Sequence, residues 1–241
     1  MSSPNSVSHE IADVLRSEIL RGQYRAGERL PSERDLSSRF DVSRGAVREA
    51  LSQLEQQGIT ETQPGGVRVR KIEQATLAIL GPMLTLQEVP DPELVDQFLK
   101  IFSMLTSLTV KGAVGHANDE QMDQLNQLLK ELGQETDNFE SMQPRWQSML
   151  DYMASIDNNL VVRLIGNDVK AQFVGHMLKL EIKPCLKTGV GVDFVKALET
   201  AFKRKNGVLA ATAFENYFDQ MRAAMREALE NIQPVYQKRV V

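Results

Sequence analysis

What this chain lacks narrows its chemistry first. Among 241 residues there is one cysteine, Cys185, so neither a disulfide framework nor a cysteine-rich metal site can form within it. Histidine, the commonest metal-ligating side chain, is nearly as scarce: only His9, His116 and His176 are present. No nucleophile-base pair, glycine-rich phosphate loop or metal-ligand spacing is visible, which argues against an enzyme. The opening Met-Ser-Ser-Pro-Asn-Ser has neither the basic nor the apolar region of a signal peptide. The longest uncharged stretch, residues 74–87, falls short of the roughly 18 residues that suggest a membrane span. A reduced, cytoplasmic location is expected. Internal repeats and low-complexity segments are missing as well.

What is present reads as two domains, a small one over residues 1–75 and a larger one over 76–241. The net charge of −4 argues against a nucleic-acid partner only if charge is spread evenly. It is not. Residues 1–75 hold ten Arg and one Lys against eleven acids, while the remainder carries 17 bases against 21 acids. The bases of the first part are almost all arginine, whose planar fork favours bidentate contacts over general basicity.

The stretch from Leu30 to Arg70 has the pattern of a winged helix-turn-helix. Ser32 is an N-cap candidate with Asp35 three residues on, and Leu36 and Phe40 form the buried side of a first helix. Asp41-Val42 breaks the run, Ser43 caps a second helix, and Val47, Ala50, Leu51 and Leu54 recur as one buried stripe. Arg44, Gly45, Arg48 and Ser52 then fall on an outward sector roughly 120° from that stripe. This predicts two arginines free to meet a DNA groove near the N-terminus of a recognition helix, with Gly45 allowing close approach. After Gly58 the period changes: residues 59–62 read as a strand, Pro64-Gly65-Gly66 as a turn, and 67–70 as a second strand alternating apolar residues with Arg68 and Arg70.

The segment GQYRAGERLPSERDLSSRFDVSRGAVREALSQLEQQG, residues 22–58, resembles the DNA-binding domain of the GntR family of bacterial transcription regulators. The resemblance rests on the G-x-Y-x-x-G-x-x-L-P-S-E-R-x-L opening and the V-S-R-x-x-V-R-E-A-L helix. It implies that Arg34, Arg44 and Arg48 touch phosphates and base edges, that Ser43, Gly45 and Arg68 line the interface, and that Gly65 and Gly66 of the wing enter the minor groove. A palindromic double-stranded operator bound by a homodimer follows from one head covering a half-site. One departure stands out: Pro64-Gly65 replaces the His-Gly pair of the fatty-acid regulators, so a wing histidine does not read the minor groove here.

Upstream, Ser6 or Ser8 is expected to cap a first helix with the stripe Ile11, Val14, Leu15 and Ile19. Downstream, six or seven helices and no strand pattern predict an all-α bundle, giving a mainly α fold overall. In it Leu94, Phe98, Phe102, Leu105 and Leu108 or Thr109 line one helix, and the apolar segment 159–182 is expected to be central. The order of head and bundle is similar to the FadR subfamily. That likeness implies an effector domain, and in many members a metal held by an aspartate and three histidines. Here Arg145 and Met149 take the first two ligand positions and the later ones fall near Val195 and Tyr217, so a bundle without metal or other cofactor is expected. The effector implied is a fatty acyl-CoA or another lipid-like or carboxylate metabolite, with a small organic acid or pure dimerisation as alternatives. Candidate effector-binding residues are Lys100, Arg145, Met149, His176 and Tyr217, with Arg163 and Lys179 as further cations. Methionines such as Met83, Met104, Met122, Met142, Met153, Met177, Met221 and Met225 suit an adjustable lining or an ordinary core. Trp146 reads as core.

Overall fold

A computed structural model describes the backbone of residues 4–134, 139–179 and 184–237, with side chains at 7–134, 142–172 and 184–232. The chain divides into two compact units, Met1–Glu88 and Val89–Val241.

The first unit contains α1 (Pro4–Leu20), α2 (Glu33–Phe40), α3 (Arg44–Gln56), a hairpin of β1 (Thr60–Gln63) and β2 (Gly66–Val69), and the short α4 (Leu80–Leu84). Ile11, Leu15 and Ile19 of α1 join Leu36, Val47, Ala50, Leu51 and Leu54 in one core. Each of the Val, Leu and Ile side chains, fully buried, contributes about 1.5–3 kcal/mol. Two expectations for α1 are corrected. Ser8 lies inside the helix and is buried rather than capping it, and Val14 is exposed while Ala12 takes its place in the stripe. Ile79 and Met83, from the stretch the sequence placed at the start of the second domain, pack with this first core.

The hairpin pairs Thr60 with Val69 and Gln63 with Gly66, antiparallel, so Pro64-Gly65 forms its two-residue turn. Gly65 and Gly66 have φ of 98° and 133°, a region that favours glycine. An extended segment docks on β2 from outside, with Leu30 N–H donating to Val67 O at 2.9 Å and Val69 N–H donating to Glu28 O at 2.9 Å.

The second unit holds α5 (Pro92–His116), α6 (Asp119–Leu132), α7 (Phe139–Asp157), α8 (Leu160–Lys179), α9 (Val190–Lys203) and α10 (Gly207–Gln237). Asn118 and Gln121 form a capping box on α6, and Asn206 Oδ1 accepts from Leu209 N–H at 3.0 Å to start α10. The core gathers Val110, Leu125, Leu129, Met149, Met153, Phe194, Leu198, Phe202, Phe214 and Tyr217 from five helices. Trp146 lies among Phe194, Phe214 and Tyr217, with ring centroids 5.1–5.2 Å away.

Two helices in this unit bury faces that periodicity did not indicate. On α5 the inward side carries Val95, Phe98, Leu99, Ser103, Thr106, Ser107, Val110 and Val114, while Leu108 is exposed with Ile101 and Met104. Of these small hydroxyl residues, Ser107 faces α10, its Oγ donating to Ala211 O at 3.5 Å. By length and composition α5 could cross a membrane, yet its inner residues form part of the bundle core. The described part of α8 is not central: Leu160, Val161 and Leu164 are 66%, 65% and 59% exposed, and among its described side chains only Val162 and Val169 are buried, while those of Phe173 and Val174 lie outside the described residues. Across the unit, Arg222 Nε and Nη2 hold Asp96 Oδ1 and Oδ2 at 3.0 and 2.8 Å, tying α10 to α5.

Candidate functional site

The pair α2–α3 is set by its caps. Ser32 Oγ accepts from Asp35 N–H at 3.2 Å and Asp35 Oδ2 accepts from Ser32 N–H at 3.3 Å, a reciprocal capping box. Asp41, at φ 53°, closes α2 in the left-handed region, and Ser43 Oγ accepts from Ala46 N–H at 3.3 Å to open α3. The Ser43 hydroxyl is therefore committed as an acceptor to the helix end. With Val47, Ala50, Leu51 and Leu54 buried, Arg44, Gly45, Arg48 and Ser52 stand exposed on the opposite side. Arg34, on α2, is exposed too.

One expectation fails here. Arg48 is not free: its Nε and Nη2 donate to Glu33 Oε1 and Oε2 at 3.3 and 3.0 Å. The Arg48 and Glu33 side chains are 72% and 38% exposed, so the fork lies on the surface. The guanidinium lowers the Glu33 carboxyl below its usual range through this hydrogen bond, with a smaller contribution from the nearby charge of Arg44. Sequence periodicity could not show Glu33, because it sits 15 residues from Arg48 and meets it only once the turn folds. In the wing, Arg68 Nη1 donates to Gly27 O at 2.8 Å, which ties its guanidinium to the docked segment. Arg29 lies over Gly66 so closely that a methyl group there would meet its Nε at 2.6 Å. Sequence reasoning missed Arg29 as well.

Residues 7–69 match the profile of the family described as bacterial regulatory proteins, gntR family. This head is a gntR-family domain. Over 134 residues the chain is 32% identical to the HTH-type transcriptional repressor NanR of Escherichia coli (strain K12 / DH10B), covering 55% of this chain and 51% of that protein. It thus spans about half the length of the curated relatives it matches. A solved structure of Lar, described as controlling expression of the Listeria monocytogenes agr system and mediating virulence, aligns over 90% of this chain and 95% of that one. Its TM-score is 0.52 at 16% identity, which shows a shared fold. The relatives are regulators, not enzymes.

In the second unit, the candidate effector residues with described side chains do not gather at one open site. Met149 and Tyr217 both belong to the core, where Tyr217 is 2% exposed, its hydroxyl has no hydrogen-bond partner among the described residues, and burial raises its phenol above the ordinary value. Val195 packs at the edge of the same cluster. Thioether, phenol, Val195 and the guanidinium of Arg145 do not make the imidazole-carboxylate set that the subfamily's metal needs. Lys100 is exposed on α5, and the side chains of His176, Met177 and Lys179 lie outside the described residues. A cleft of about 170 Å³ opens instead between α5, α7 and α8. Phe102, Leu105, Leu150 and Val162 give it apolar walls, and Arg163, Lys170, Asn167, Gln147 and Asp151 bring polar groups. Lys100, Arg145, Met149 and Tyr217 are not among its lining residues, and neither is any methionine.

Proposed function

We propose that this chain is a DNA-binding transcription regulator that grips a palindromic operator as a homodimer and responds to a small organic acid. The observation that carries the reading is the exposed N-terminal turn of α3, presenting Arg44 and Arg48 from a gntR-family head. Arg34 and Ser43 flank that turn, Gly45 leaves room for the duplex, and Gly65, Gly66 and Arg68 form the tip and strand of the wing. Dimerisation is supported by the exposed stripe Ile101, Met104 and Leu108 on α5, an apolar face for which a second copy is the simplest cover.

For the effector, cavity size favours one class. A fatty acyl chain needs an elongated apolar site, and drug-sized ligands occupy about 300–1,000 Å³. The cleft of about 170 Å³ suits a small carboxylate on Arg163 and Lys170 better than an acyl-CoA. An acyl-CoA remains the second reading, favoured only by the likeness to the FadR subfamily. The decisive experiment is selection of duplexes from a randomised library by the purified protein. Enrichment of a two-fold symmetric sequence is expected, and failure to enrich any sequence would overturn the reading.

A further inference from the structure

An arginine has five N–H donors. In Arg48 two of them, on Nε and Nη2, are held by Glu33, which leaves both Nη1 donors and the second of Nη2. The Nη1–Nη2 end is the pair that fits the O6 and N7 acceptors of guanine side by side. A carboxylate on the adjacent edge does not consume the reading edge. It fixes the plane in which that edge lies, and removes rotamers that a long exposed side chain would otherwise sample.

We propose that Glu33 is a positioning residue for base recognition, holding the side of the Arg48 guanidinium so that its end reads one base. The proposal rests on the DNA-binding reading above and names a specificity determinant within it. Its charge has a second effect. A carboxylate beside a phosphate backbone weakens sequence-independent binding, because that binding comes from counterions released by positive charge. Glu33 therefore raises the ratio of specific to nonspecific affinity by two routes, orientation and repulsion. A contact that merely occupied Arg48 would act oppositely, since its removal would strengthen operator binding with base preference unchanged.

The test uses the full chain as wild type, Glu33→Gln, Glu33→Asp and Arg48→Ala, each in library selection and in anisotropy titrations against the selected duplex and a scrambled duplex of equal length. Arg48→Ala identifies the base position whose preference depends on Arg48. At that position Glu33→Gln is expected to lose about tenfold in discrimination, within the range that a bidentate base contact supplies. Its affinity for the scrambled duplex is expected to rise, with the log–log salt slope steeper by up to about one. Glu33→Asp, which keeps the charge, is expected to recover part of the discrimination. A wild-type preference in Glu33→Gln at that position, with other positions also unaltered, overturns the proposal while leaving DNA binding intact. Enrichment of no sequence by the wild-type protein overturns the DNA-binding reading itself, and the proposal with it.

Discussion

The clamp between Asp96 and Arg222 allows a stability prediction with a defined pH signature. Asp96 is 13% exposed at its side chain and Arg222 24%, and Arg226 Nη2 stands 3.4 Å from the same carboxylate. Exposed pairs are worth about 0–1 kcal/mol and breaking a fully buried one costs about 3–5. This pair lies between those limits, so Asp96→Asn is expected to cost about 1–3 kcal/mol at pH 7. The hydrogen bond from Arg222 holds the Asp96 carboxyl below its ordinary value of 3.8, with the charges of Arg222 and Arg226 adding to it and desolvation opposing. A depressed carboxyl stabilises the fold fully above the unfolded-state pKa, and that stabilisation disappears as pH falls through the lower folded-state value. Urea denaturation of wild type and Asp96→Asn should therefore differ most at pH 5–7, and the two curves should converge as the pH falls below about 4. A difference under about 0.3 kcal/mol at pH 7, or one independent of pH down to about 3, would refute the reasoning.

Three further outcomes are expected. Gly207→Ala would set a methyl group 2.2 Å from the Lys111 carbonyl oxygen where α10 crosses α5. Overpacking of roughly 1–3 kcal/mol should exceed the helix-propensity gain of about 0.5–1, so calorimetry should show a lower Tm, and an equal or higher one would mean that the crossing yields. Arg44→Ala should cost roughly 1–3 kcal/mol on the library-selected duplex if Arg44 reads a base, and a uniform weakening across sequences with a salt slope reduced by about one if it holds a phosphate. Wild-type affinity at fixed salt would remove Arg44 from the interface. Leu108→Glu, on the exposed side of α5, should shift sedimentation toward the monomer; unchanged self-association would place the contact elsewhere.

Legibility varied with how strongly each helix separates its faces. On α3 the apolar residues occupy one stripe, so Val47, Ala50, Leu51 and Leu54 are all buried as periodicity predicts, and Ser32 and Ser43 cap their helices. The hairpin likewise follows its turn glycines. Helices α5 and α8 are apolar on several sides. Nothing in their own sequence decides which side is covered, and the partner helix makes the choice. Hence Ser103, Thr106 and Ser107 are inside while Leu108 and Leu164 are outside. Candidate site residues divided in the same way. Arg44 and Arg48 are exposed as predicted from the angle between stripes, but the hold of Glu33 on Arg48 is a tertiary contact invisible to local pattern. The cleft carrying Arg163 and Lys170 escaped because three helices must converge to create it.

Trp146 gives the molecule an optical property that follows from its place among Phe194, Phe214, Tyr217 and Phe218. It is the only indole in 241 residues and belongs to the second unit. Intrinsic fluorescence excited near the red edge of protein absorption thus watches one half of the chain and is blind to the other. Loss of the helical signal from the first unit, with emission unmoved, would show the head melting while the bundle stands.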